Sequence, residues 1–317
     1  MRRLGLLVVA CALALSACSV PHKRGDVTVE KTAAREAEVA EVFSEYRKVR
    51  NTAIELLDPK PLSIVESGPV LAIDSGSFEV SQRLAKTQKQ DTASVEVTDV
   101  QTPRFGKYPL WFFAVVRDET AGVNRVQIFE RETAVEPWLL VASPETLADT
   151  PIPDIRRESP EALTVRPDDG VGMSMSATEA ATAYARSLAD SASPEADQVA
   201  DDAFIKQMRT TAENNSKLEG VTFSQSWGHD PVKHVLRTSD GGALAFVTLR
   251  RLDTYEVKDG LTVSWPEGTP QQAFLSSGIS SSGKLRYYHQ VLMYIPGGSA
   301  KPRAIGQYGG VVSADSQ

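Results

Sequence analysis

The 317-residue sequence predicts an α+β fold made of two similar domains, each one long helix plus a short helix packed on a curved four-stranded antiparallel meander. Three observations carry this expectation. Apolar residues recur at three- and four-residue steps early in each half. The apolar period then changes to two, and the same order of elements occurs on both sides of a Pro-rich stretch. A composition of 41% hydrophobic and 24% charged residues is globular, and the length suits two domains of ordinary size.

In the first half, Val39, Val42, Phe43, Tyr46, Val49 and Ala53 mark one face of a helix between about Lys31 and Leu57, ended by Pro59 and Pro61. A turn is expected at Gly68-Pro69, with a shorter helix starting at Ser77 and carrying Phe78, Leu84 and Ala85. Four strands follow: Val95 to Val100, Leu110 to Arg117, Val123 to Arg131 and Glu136 to Ala142. Pro144, Pro151, Pro153, Pro160 and Pro167 then interrupt both periods, so 144–175 reads as a semi-rigid linker.

The second half opens on Ser176-Ala177-Thr178-Glu179, the spacing of a capping box, ahead of a helix bearing Ala180, Ala181, Tyr184 and Leu188. Asp201 or Asp202 is placed to cap a second helix through Phe204, Ile205, Met208 and Ala212. Val221 to Trp227 alternates, Ala243 to Arg251 and Leu285 to Ile295 are longer strands, and Ala304 to Val312 closes the set. A large insertion falls at about 253–283.

The N-terminus carries the most specific signal. Met1-Arg2-Arg3 is basic, Leu4 to Leu15 is apolar and too short to span a bilayer, and Leu15-Ser16-Ala17-Cys18 follows at once. This resembles a bacterial lipobox, which implies cleavage before Cys18 and a diacylglycerol thioether on its sulfur. The partition is then 1–17 signal peptide, 18–30 lipidated tether, 31–143 first domain, 144–175 linker and 176–317 second domain. Cleavage removes Cys11, leaves 300 residues and moves the net charge from −7 to −9. With one cysteine remaining no internal disulfide is expected. Several acyl chains on Cys18 would anchor the chain firmly, because one chain alone binds marginally.

The whole chain resembles an uncharacterised lipoprotein family of high-GC Gram-positive bacteria, and its halves resemble the cystatin or nuclear-transport-factor-2-like superfamily. The resemblance rests on the lipobox, on Glu66-Ser67-Gly68-Pro69-Val70-Leu71-Ala72, and on the strands Trp111-Phe112-Phe113-Ala114-Val115-Val116 and Leu244-Ala245-Phe246-Val247-Thr248-Leu249. It implies a cell-membrane location on the extracytoplasmic side. It implies no particular activity, since this superfamily holds enzymes and binding modules alike.

Chemistry-bearing residues are sparse. The acidic balance argues against nucleic-acid binding. No metal site or cofactor is expected beyond the lipid on Cys18. His229 and His234, separated by Gly228-to-Pro231 turn chemistry, read as solvent-exposed turn histidines. Tyr287 and His289 share one strand face and are the candidate lining of a pocket, where a histidine can titrate near neutral pH. Tyr255, Trp265 and Phe274 in the insertion are the candidate surface for an envelope protein partner. The expected function is a non-catalytic binding or scaffolding module of the cell envelope. A hydrolase or small-ligand binder using Tyr287 and His289 is the alternative. A transporter's solute-binding lipoprotein is the second alternative, and it predicts parallel sheets with alternating strands and helices.

Overall fold

A computed structural model describes residues 30–85, 95–158 and 160–317; the signal segment and Cys18 lie outside the described residues. The elements follow in order. In the first half these are β1 (Lys31–Thr32), α1 (Glu36–Leu56), α2 (Gly68–Arg83), β2 (Val95–Gln101), β3 (Arg104–Phe105), β4 (Leu110–Asp118), β5 (Val123–Arg131) and β6 (Leu139–Ala142). The Pro-rich stretch contributes β7 (Glu145–Leu147), β8 (Arg157–Glu158) and β9 (Glu161–Ala162). The second half adds α3 (Ala177–Ala189), α4 (Ala203–Ser216), β10 (Val221–His229), β11 (Val235–Arg237), β12 (Ala243–Val257), α5 (Pro270–Phe274), β13 (Ser282–Ile295) and β14 (Arg303–Ser316). The class is α+β, and every strand ladder among the described residues is antiparallel, the opposite of what a parallel-sheet solute-binding fold requires.

The helix ends obey local chemistry. Ser176 Oγ accepts from the Glu179 amide at 3.2 Å while the Ser176 amide donates to the Glu179 carboxylate at 2.8 Å, completing the capping box on α3. Asp202 accepts from the Ile205 amide at 3.0 Å and caps α4. The second helix starts earlier than expected. Gly68-Pro69 is the first turn of α2, where proline loses no hydrogen bond and its fixed φ suits a helix. The expected turn at Gly68-Pro69 is instead the helix start.

The strands of both halves join one ten-stranded sheet in the order β10-β12-β13-β14-β7-β5-β4-β2, with β11 beside β12 and β6 beside β5. The joint is narrow: Gln307 of β14 pairs with Glu145 of β7. The 144–175 stretch, expected as a semi-rigid linker, is therefore part of the sheet. It supplies this joining strand, and Leu163 and Val165 also bond to β11. Proline-rich composition hid β7, which is only three residues long.

Side-chain alternation then shows how the sheet bends over itself. In β4, Leu110, Phe112, Ala114 and Val116 meet Val39, Phe43 and Tyr46 of α1, while Trp111, Phe113 and Val115 point the other way. In β12, Ala243, Ala245, Val247 and Leu249 meet α3 and α4, while Leu244 and Phe246 point the other way. These second faces meet each other, and the Phe113 and Phe246 rings lie 6.1 Å apart. The result is helix, strands, strands, helices. Strands covered on both faces need apolar residues at every position, which is why Leu110 to Val116 is an unbroken apolar run.

Helix α2 closes the remaining gap by lying along β14. A Cβ on Gly76 would stand 2.2 Å from the Val311 carbonyl oxygen, so glycine permits this approach. The 253–283 insertion shrinks, because β12 and β13 extend further than expected and leave an excursion from Lys258 to Ser281. Val263 and Ile279 bond to each other across it.

Candidate functional site

The seam between the two inner strand faces opens into a groove with a cavity of about 330 Å³. Glu130 and Glu132 at the end of β5 line one wall, with Pro69 at the start of α2. Asp230, Lys233 and His234, in the chain between β10 and β11, line the other with Thr248 and Arg250 of β12. Phe246 and Val141 provide apolar floor.

Several polar groups of this groove are paired with one another. His234 Nε2 lies 2.6 Å from Glu130 Oε2, both side chains are buried, and the Trp111 ring meets the imidazole edge-on at 5.2 Å. Burial works against ionisation of Glu130, but the hydrogen bond and charge of His234, with Lys233 nearby, outweigh it and hold the carboxyl below its ordinary range. Glu132 is shifted upward by burial and by the adjacent Glu130 charge. Arg250 pairs with Asp230 and covers the Tyr288 ring at 5.4 Å. Deeper in, Gln290 acts as a stitch between halves: its amide nitrogen donates to Val141 O at 2.8 Å and its oxygen accepts from the Ser143 amide at 2.9 Å.

A second ionic cluster fixes the same seam from behind. Arg50 of α1 bonds Asp74 of α2 at 2.5 Å and reaches Glu66 at 3.5 Å. Tyr46 donates to Glu66 at 3.2 Å, and Tyr308 of β14 donates to Asp74. Burial and the neighbouring Asp74 push the Glu66 carboxyl well above its ordinary pKa, despite Arg50. The cluster thus holds one arginine between two carboxyl groups, one of which favours its protonated form.

Tyr287 and His289 do share a face, as alternation predicts, and that face is inward. The His289 imidazole sits among Phe204, Trp227 and Tyr287, with ring centroids 5.3, 5.4 and 6.1 Å away. Burial and the Arg251 charge pull its pKa down to about 3, so the ring is neutral at physiological pH. Neither ring nitrogen has a hydrogen-bond partner among the described residues. Tyr287 lies against the Arg251 guanidinium at 4.2 Å, and burial with the Asp253 charge pushes its hydroxyl up to about 12. Arg251 is itself locked to Asp253, which Gln225 also bonds at 2.8 Å. A cavity lined by Trp227, Arg251 and Tyr287 adjoins this cluster, and His289 is not in its wall.

The insertion aromatics pack against the body, Tyr255 and Trp265 within the second half and Phe274 also against the first. Tyr255 is buried, and the half-buried Trp265 meets it edge-on at 5.5 Å. Phe274 is half-buried under Arg83 of α2, whose guanidinium lies 5.7 Å from the ring and donates to Ala273 O at 2.9 Å. His229 is partly buried against Thr182 at 3.0 Å. The exposed-turn expectation fails for His234 in particular. It is buried because Glu130, 104 residues away, comes across the seam to meet it. No local spacing carries that contact.

The arrangement defines an α+β protein with a polar groove at the seam of its two halves. Among the described residues no helix is long and apolar enough to cross a membrane, and none group as three or more metal-type ligands. The chain belongs to the family described as a domain of unknown function, DUF8094, whose model matches residues 30–316. It is similar to an uncharacterised lipoprotein of Streptomyces avermitilis, 23% identical over 292 residues, covering 87% of this chain and 85% of that protein. An uncharacterised lipoprotein of Streptomyces coelicolor is 24% identical over 264 residues, covering 80% and 77%. No solved structure matches the chain.

Proposed function

We propose that this protein is a membrane-anchored extracytoplasmic lipoprotein, held through lipid on Cys18, whose body is a non-catalytic binding module using the seam groove as its recognition site. The carrying observation is that four of the groove's charged or titratable side chains are tied in pairs across its lining, Glu130 to His234 and Arg250 to Asp230. Groups locked in pairs make a rigid, patterned surface for a ligand. The anchor is supported by Leu15-Ser16-Ala17-Cys18 and by relatives named lipoproteins. The helix-on-strands packing in each half supports a cystatin or nuclear-transport-factor-2-like ancestry. The expected partner is another envelope protein.

The test is to fill the groove. Thr248→Trp places an indole in the cavity without removing a member of either ion pair. The expected result is loss of proteins chemically cross-linked to the full chain in intact cells, with the circular dichroism spectrum and melting temperature retained. An unchanged cross-linked set from a folded variant contradicts the groove assignment.

A further inference from the structure

The two ends of the ten-stranded sheet are treated differently. At one end β2 carries Glu96 and Asp99, its register with β4 is broken by an irregularity between Val97 and Asp99, and Arg157 covers it by bonding Gln101 at 2.9 Å. These are devices that stop one sheet edge from pairing with another. The outer side of β11 is also occupied, by backbone bonds from Val165 to Val235 O at 3.0 Å and from Arg237 to Leu163 O at 2.8 Å.

Strand β10 at the other end has none of these protections. Its nine residues, Val-Thr-Phe-Ser-Gln-Ser-Trp-Gly-His, contain no Asp, Glu, Lys, Arg or Pro. Its register with β12 runs without a bulge from Val221 to His229. Thr222, Ser224 and Ser226 are exposed, and no backbone bond from elsewhere among the described residues reaches the outward-facing groups of Thr222 to Gly228. A straight, uncharged, unblocked edge of this length is a pairing template.

The sequence of the strand also fits itself. Rotation about Gln225 sets Ser224 against Ser226, Phe223 against Trp227 and Thr222 against Gly228 of an antiparallel copy. Small hydroxyl side chains then meet on the exposed face, an aromatic pair meets on the other, and no like charges oppose. We propose that two copies of this chain pair antiparallel through β10, joining their sheets across a two-fold axis at Gln225.

The register makes the proposal testable in the full chain, purified in a mild non-ionic detergent. Co-expressed Ser224→Cys and Ser226→Cys chains should form an intermolecular disulfide under mild oxidation, because those positions face directly. Either variant alone should link poorly, since its own copies are diagonal and about 7–8 Å apart, beyond disulfide reach. The double variant S224K/S226K should weaken dimerisation by about tenfold or more in sedimentation equilibrium, at an unchanged melting temperature. A wild-type chain that sediments as a monomer at tens of micromolar overturns the proposal, and so does equal linkage in all three cysteine samples. A wild-type monomer that instead gains mass with an added extended peptide overturns it in favour of a foreign strand.

Discussion

Glu130 and His234 stand 2.6 Å apart across the seam although 104 residues separate them, and both are shielded from solvent. Removing one member of a buried pair strands the other, at a cost of about 3 kcal/mol. Glu130→Ala should therefore lower stability by roughly that amount at neutral pH in urea denaturation. Because the Glu130 carboxyl is held below its ordinary range, its contribution is full above the unfolded value near about 4.3 and is lost as pH falls through the folded value. The gap between wild type and variant should thus narrow in acid, and a gap that widens in acid contradicts the assignment.

Glu66 predicts the reverse pH dependence. Its carboxyl is pushed upward by burial and Asp74, so the native state retains a proton that the unfolded chain releases above about 4.3. Stability from this site is greatest at low pH and declines as pH rises through that window. Glu66→Gln, which keeps the shape and removes the titration, should raise the melting temperature at pH 8 relative to wild type and leave it little changed at pH 4. A loss at pH 8 would show that the charged form is the native one.

Asp74 is the opposite kind of partner, since it accepts from both Arg50 and Tyr308. Asp74→Ala should cost about 3 kcal/mol because it leaves Arg50 buried with only the more distant Glu66. Tyr308→Phe removes one hydrogen bond and should cost about 1–2 kcal/mol. Chemical denaturation of both variants checks the order, and equal losses would contradict it.

Gly76 tests the seat of α2 on β14. Alanine favours helices over glycine by about 1 kcal/mol, yet a Cβ here would lie 2.2 Å from the Val311 carbonyl oxygen. Steric conflict with backbone outweighs that preference, and Gly76→Ala should destabilise by about 1–3 kcal/mol. A stabilised variant would mean that α2 does not approach β14 this closely.

Much of the fold was legible because it is local. The helical stripe from Val39 to Ala53, the capping box at Ser176 and the strand alternation all depend on near neighbours, and they place α1, α3 and most strands. The start of α2 is not legible locally, because Gly68-Pro69 opens a helix as readily as it makes a turn. The joining strand β7 is not legible, because three residues among prolines carry no period. The apolar run from Leu110 to Val116 held the clue to a doubly covered strand, but not the identity of its second cover, which is Phe246 and its neighbours. The site was less legible still. His289 was placed on the correct strand face, but which face turned inward depended on α4, and the Glu130 to His234 contact is purely long-range.

The central claim is that this chain is a lipid-anchored module outside the membrane, and Cys18 decides it. Cells grown with labelled palmitate and expressing the wild-type chain should yield a labelled product in the membrane fraction, degraded by protease added outside intact protoplasts. Cys18→Ala should carry no label and should leave the lipid-anchored fraction. Equal labelling and equal membrane retention of the two chains would contradict the account.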